Sequence, residues 1–233
     1  MNIDRETRLR DAANAGTIAR RVLERAGLDY CCEGERTVAE ACAASRIDVG
    51  PIEAELRALG SDEERARSEL DLSAVLDSVL VECHPRTKRL LADAAVAAAN
   101  LCSTAPSARP LADAIRTLVA HASKQMREEE ETLFMRVRLL ADARMGRGPF
   151  PPPPFRTIHE HGERLREGHR RAHEYMRKVR ALTQALKGPG VGEVSLKVET
   201  ALSSLTEQMH LENNELIPRA LDLEPNGHAV RES

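Results

Sequence analysis

Gln208-Met209-His210-Leu211-Glu212-Asn213-Asn214, close to the C-terminus, sets a glutamine and a glutamate four residues apart. At that spacing both side chains lie on one face of a helix, one turn from each other. A second stretch, Gln125-Met126-Arg127-Glu128-Glu129, repeats the arrangement. Two such helices, completed by single histidines from two others, would enclose a metal inside a helical bundle.

The composition suits that architecture. The 233 residues are 42% hydrophobic and 30% charged, in the ordinary globular range. Aromatics are 2% and Trp is absent, so Leu, Ala, Val and Ile must fill the core. Abundant Ala, Leu, Glu and Arg favour helix. A formal charge of -3, with Arg interspersed among Asp and Glu, argues against nucleic acid as a partner. No apolar run approaches the roughly 18 residues of a membrane span, and Met1-Asn2-Ile3-Asp4-Arg5-Glu6 is not a signal peptide. Five irregularly spaced cysteines fit reduced thiols better than a disulfide framework. The expectation is a cytoplasmic helical protein without membrane contact.

Short helices are expected at Thr17–Ala26, stopped by Gly27, at Val38–Arg46, opened by a Thr37/Glu40 capping box, and at Ile52–Leu59 after Gly50-Pro51. Between the first two lies the turn Leu28-Asp29-Tyr30-Cys31-Cys32-Glu33-Gly34. Residues 1–60 therefore read as a small helical domain, residues 61–71 as a charged linker, and residues 224–233 as a tail. From 72 to 223 four long helices are expected, at about 72–101, 109–143, 156–187 and 193–221. Pro106, the prolines at 151–154 and Gly188-Pro189-Gly190 punctuate them. The polyproline run is a stiff spacer rather than an SH3-type ligand. Short links argue for an up-down-up-down four-helix bundle.

Each bundle helix offers candidate ligands: His84 on the first, Gln125 and Glu129 on the second, His161 on the third, Gln208 and Glu212 on the fourth. Bridging carboxylates and terminal imidazoles are what a pair of iron or manganese ions needs. His121, one turn before Gln125, is an auxiliary candidate. His210 sits about 200° around the helix from Glu212 and is discounted. Of Glu128, Glu130 and Glu131, at most one or two can face inward. His159, His169 and His173 read as outward-pointing. Pro85 removes an N–H inside the first helix and predicts a bend beside His84. Glu129 and Glu212, in apolar-flanked stretches, are either metal ligands or partners of nearby Arg and Lys. Cys42, Cys83 and Cys102 read as small core residues.

The set of segments resembles the repair-of-iron-centres (RIC) family of di-iron proteins, a cysteine-pair domain followed by a hemerythrin-like four-helix bundle. The resemblance rests on Leu28–Gly34, His84, Glu129-Glu130-Glu131-Thr132-Leu133-Phe134, Glu160-His161 and His210-Leu211-Glu212-Asn213-Asn214-Glu215-Leu216-Ile217-Pro218-Arg219. It implies a non-haem iron centre with two sites, with His84 and His161 as terminal ligands and Glu129 and Glu212 as bridges. It also implies a role in restoring iron–sulfur clusters damaged by nitric oxide or peroxide, by supplying iron or handling nitric oxide. Iron–sulfur proteins would be the clients, with a homodimer as candidate assembly. Cys31 and Cys32 would serve redox exchange or client docking.

The chain departs from the family where Gln125 and Gln208 stand at positions usually held by histidine. A further family histidine near the end of the first bundle helix has no counterpart; Cys102 is the nearest soft ligand. A glutamine carbonyl is a neutral, poorer donor to divalent iron than imidazole. The alternative is therefore a metal-poor hemerythrin-like regulator or partner-binding protein.

Overall fold

The computed structural model describes residues 3–59, 71–152 and 157–224. The expected linker (up to residue 70), prolines 153 and 154, and the tail from residue 225 lie outside the described residues. The chain divides into two compact units, Met1–Asp71 and Leu72–Ser233. Among the described residues there is no strand, only an isolated bridge between Arg8 and Thr37. No described helix is long and apolar enough to cross a membrane.

The first unit holds α1 (Leu9–Asn14), α2 (Thr17–Arg25), α3 (Val38–Ser45) and α4 (Val49–Arg57). The helix α1 escaped the sequence reading because six residues carry too little periodicity to register. The capping box forms as expected: Thr37 Oγ1 accepts from the Glu40 N–H, and the Glu40 carboxylate accepts from the Thr37 N–H. Gly27 ends α2 with φ +70°, the left-handed conformation that favours glycine. Leu9, Leu23, Tyr30, Val38 and Leu56 form the buried interior. Among its described residues, no buried side-chain polar atom lacks a hydrogen-bond partner. The Tyr30 hydroxyl donates to Glu24 at 2.7 Å, and Arg20 donates to the Ala13 carbonyl at 3.1 Å.

The second unit is a bundle of four arms. The first runs through α5 (Leu72–Asp77), a π-helical segment (Ser78–Cys83) and α6 (His84–Thr104). The second comprises α7 (Arg109–Glu128), a π segment (Glu129–Leu133) and α8 (Phe134–Arg144). The third is α9 (Ile158–Ala185). The fourth comprises α10 (Val191–Leu211), a π segment (Glu212–Leu216) and α11 (Ile217–Leu221). Side-chain pairs give the directions. Asp77 meets Arg138 and His84 meets Glu130, so residue numbers rise on the first arm as they fall on the second. His121 meets Gly168 and Gln125 meets Leu165; Arg180 meets Glu199 and His169 meets Asn213. Thr87 meets Ser204 while His84 meets Glu212, which closes the ring. All four neighbouring pairs are antiparallel, the up-down-up-down bundle.

The proline expectation takes a specific form. Pro85 and Pro218 each occupy the second position of the α-helix that follows a π segment. A proline within a helix lacks its N–H and crowds the carbonyl four residues back. One widened turn ahead of it accommodates both defects. The π segment at Glu129–Leu133 has no proline after it, and nothing in the local sequence explains it.

Beside the prospective centre, Leu76, Val79, Leu133, Phe134, Val137, Leu140, Ile158, Leu216 and Ile217 form a closely packed apolar cluster. Burying each such side chain contributes about 1.5–3 kcal/mol. The Phe134 ring lies 5.6 Å from the His84 ring, so one wall of the centre is apolar.

Candidate metal centre

Glu129 and Glu212 are the opening residues of two π segments, and His84 follows the third directly. Single-turn π segments within α-helices occur frequently at functional sites. Here they bring side chains from four arms to one buried point. His84, His169 and Glu212 are at most 2% exposed, and Glu129 is 5% exposed.

The His84 Nε2 lies 2.9 Å from Glu212 Oε1 and 3.7 Å from Glu129 Oε2. The His169 Nε2 lies 3.0 Å from Glu212 Oε2 and 3.7 Å from Glu129 Oε1. Each imidazole is held from behind: His84 Nδ1 donates to Glu130 Oε1 at 2.6 Å, and His169 Nδ1 donates to Asn213 Oδ1 at 3.0 Å. Glu130 is itself tied to Lys88 Nζ at 2.9 Å. An imidazole with its Nδ1–H given to an outer acceptor and its Nε2 turned inward is the arrangement found around bound metals.

This geometry corrects the third arm. The structure brings His169, not His161, to the carboxylates. The buried stripe of α9 runs Ile158, Gly162, Leu165, His169, Ala172, Met176, Val179, Thr183 in alternating steps of four and three. His169 lies on that stripe, whereas His161 falls one position off it. The two are eight residues apart, about 12 Å along the axis. His161 instead lines an outer groove of about 720 Å³ together with His121, Gln125, Glu129 and Gly168. The outward reading of His169 fails for the same reason, and the flanking Leu165 and Ala172 were the signal that would have found it.

His121 also stands apart from the cluster. Its Nε2 donates to the Gly168 carbonyl at 2.9 Å and its ring meets Tyr175 edge-on at 5.3 Å. His210, although fully buried, pairs through Nδ1 with Asn214 at 3.0 Å. Gln125 and Gln208 sit at the edge of the centre. Gln125 Nε2 donates to Glu129 Oε1 at 2.9 Å, and Gln208 Nε2 donates to Glu212 Oε1 at 3.1 Å. Gly168 makes room for the first of these: a Cβ there would fall 2.6 Å from Gln125 Oε1. Glu130 faces inward far enough to reach His84, and it was not singled out from sequence.

The electrostatics follow from the burial of two carboxylates with two imidazoles. Burial pulls the His169 pKa down, but close pairing with the Glu129 and Glu212 carboxylates and their charge outweigh it and raise it to about 10. His84 is raised by the same balance, with Glu212 and Glu130 as its main partners. Burial pushes the Glu212 carboxyl up, yet the two imidazoles hold it down to about 2. Glu129 goes the other way: burial and the charge of Glu212 raise it against the pull of His169 and His84.

The residues fit a cation. Glu129 Oε2, Glu212 Oε2 and Gln208 Oε1 are buried without a hydrogen-bond partner. Glu212 Oε2 has an ion-pair contact only, with His169 Nε2 at 3.0 Å. An unsatisfied buried acceptor costs about 1–3 kcal/mol, more when charged. One ligand atom each from His84, Glu129 and Glu212 falls within 4.8 Å of the others, compact enough to share an ion. Carboxylate oxygen with imidazole nitrogen is a donor set for divalent iron, manganese or zinc.

In the first unit, Cys31 and Cys32 are free thiols with Sγ atoms 3.4 Å apart. The Asp29 carboxylate accepts from the Cys32 N–H at 2.8 Å and fixes the turn. Burial, then the Cys32 contact and the charge of Asp29, push the Cys31 thiol well up, away from the thiolate form. Cys32 is half-buried and is the more accessible of the two. Cys42 and Cys83 are buried, while Cys102 is half-exposed and bonds the Ala98 carbonyl.

Residues 75–220 match the hemerythrin HHE cation binding domain, and residues 6–60 match a domain of unknown function, DUF542. The chain is similar to the "iron-sulfur cluster repair protein YtfE" of Escherichia coli O1:K1 and of Citrobacter koseri. Each is 28% identical over 205 residues, covering 83% of this chain and 87% of the relative. The Salmonella schwarzengrund protein of the same name is 28% identical over 204 residues with the same coverage.

Proposed function

This chain belongs to the hemerythrin HHE cation-binding family, and from that premise we propose that it is a repair-of-iron-centres protein whose bundle holds non-haem iron for the repair of iron–sulfur clusters. The DUF542 match ahead of the bundle and the similarity to the YtfE proteins support this reading. The observation that carries it is the buried centre, where two imidazoles turn Nε2 onto a pair of carboxylates whose Oε2 oxygens lack a hydrogen bond.

His84, His169, Glu129 and Glu212 would hold iron at two positions, with Gln125 and Gln208 at the rim. Bound iron supplies a labile, redox-active cation suited to transfer to a damaged cluster or to capture of nitric oxide. The protein's own groups do the rest. Glu130 and Asn213 fix the imidazole orientations, so that His84 and His169 present Nε2 rather than Nδ1. His84 and His169 would hold a metal only as neutral imidazoles, each giving up its Nε2 proton to present a lone pair there. The apolar cluster around Phe134 keeps bulk water from one side. The Cys31–Cys32 turn is the candidate docking point for a cytoplasmic iron–sulfur client, with Cys32 as the thiol presented.

The competing reading is a metal-poor regulatory bundle, which draws on the two glutamine amides that donate to the carboxylates. It leaves three buried oxygens unexplained. The test is repair of a [4Fe–4S] dehydratase inactivated by nitric oxide. Iron-loaded protein is expected to restore its activity, and the His84→Ala/His169→Ala variant is not. Equal recovery with the variant, or with the same quantity of free ferrous iron, would sink the proposal.

A further inference from the structure

Resting on that two-ion reading, we infer that the two positions are inequivalent: the one beside His169 and Gln125 releases its ion, and the one beside His84 and Gln208 retains it. The carboxylate oxygens divide cleanly between the imidazoles. His84 faces Glu212 Oε1 and Glu129 Oε2, whereas His169 faces Glu212 Oε2 and Glu129 Oε1. The glutamines follow the same division. Gln208 bonds Glu212 Oε1 on the His84 side, and Gln125 bonds Glu129 Oε1 on the His169 side. Each position is thus offered one imidazole nitrogen and one oxygen from each glutamate, with a glutamine N–H donating to one of those oxygens.

Three differences break this symmetry, and all point the same way. The outer acceptor behind His84 is a carboxylate, Glu130, which makes the imidazole a stronger donor; behind His169 it is the neutral amide of Asn213. Gln208 is 2% exposed, whereas Gln125 is only half-buried. The outer groove of about 720 Å³ is lined by Gln125 and Glu129 and by neither His84 nor Gln208, with His169 itself off its wall. An ion on the His169 side is therefore bound by the weaker imidazole and sits next to residues open to solvent. Its departure breaks only coordinate bonds and changes no oxidation state. An ion released on that side would face the groove, and His169 Nε2, taking up a proton from the buffer, would return to its 3.0 Å contact with Glu212 Oε2.

The experiment is release of ferrous iron from anaerobically loaded, full-length protein to a chromogenic chelator in stopped flow. Two phases of equal amplitude are expected, separated by about tenfold or more in rate. Gln125→His and Asn213→Asp should each slow the fast phase by about tenfold, and Gln208→His should act on the slow phase instead. Far-ultraviolet circular dichroism of each variant shows whether the bundle is intact, and the biphasic wild-type trace needs no variant at all. A single phase carrying both ions, or slowing of the slow phase by Gln125→His, overturns the inequivalence while leaving the two-ion centre standing. Loading of fewer than two ions per chain overturns the two-ion reading and the inequivalence with it.

Discussion

In the first unit the fully buried Tyr30 hydroxyl is spent on Glu24, and the buried Arg20 guanidinium on a carbonyl and a threonine hydroxyl. Glu53, equally withdrawn, is clasped by Arg5 and Arg57 at 2.8 and 2.7 Å. In the bundle, Glu129, Glu212 and Gln208 are just as buried yet keep oxygens without a hydrogen bond, and two of these face only an imidazole nitrogen. Among the described residues, every buried side-chain polar atom left without a partner belongs to the bundle. A polar group whose partners are all protein holds a fold together. One left open beside others of its kind is a place where something else binds. Of the five such atoms, Arg86 Nε and Arg136 Nε belong to guanidinium groups that donate through another nitrogen, and the other three are oxygens of the candidate centre.

Removing an open group should cost binding, and removing a closed one should cost stability. The largest effect is expected from Glu212→Gln, which takes away the carboxylate both imidazoles face. Iron affinity should fall by about 100-fold or more, measured by anaerobic titration, and an unchanged affinity would remove Glu212 from the centre. His169→Ala should lose most bound iron, read by elemental analysis, while His161→Ala keeps it. The opposite ranking would restore the ligand expected from sequence.

The metal-free bundle should also respond to pH. His169 is raised from about 6.5 in the unfolded chain to about 10 in the fold. Its contribution is therefore complete below pH 6.5 and is lost as pH rises through 10. That loss is on the order of a few kcal/mol. Thermal melts of metal-free protein should fall across this window, and His169→Gln should flatten the decline. The smallest effect belongs to the closed side of the contrast. Tyr30→Phe should cost about 1 kcal/mol in a denaturant melt and leave iron content untouched. A loss of iron in that variant would blur the distinction between the units.

Much of the fold was legible in the sequence. Proline and glycine breaks delimit the arms, and the Thr37/Glu40 pair announces its own cap. Three of the four central residues were legible as well: His84, and the two glutamates that each stand one turn from a glutamine. His169 was hidden for a simple reason. The Glu160-His161 dipeptide matches the family pattern by identity, while His169 declares itself only through the period of its apolar neighbours. The outer acceptors were illegible in a deeper sense. Glu130 and Asn213 each follow a buried glutamate directly, and which way they turn depends on π segments that open at those glutamates. Two of the three π segments can be traced to the prolines at 85 and 218, a signal present in the sequence but written as a bend rather than a widened turn.

The most direct measurement is anomalous scattering at the iron edge from crystals of iron-loaded protein. Two peaks between Glu129 and Glu212 are expected, one against His84 Nε2 and one against His169 Nε2. Iron bound at His161 or His121 instead, or a folded bundle with no peak inside it, would contradict the account.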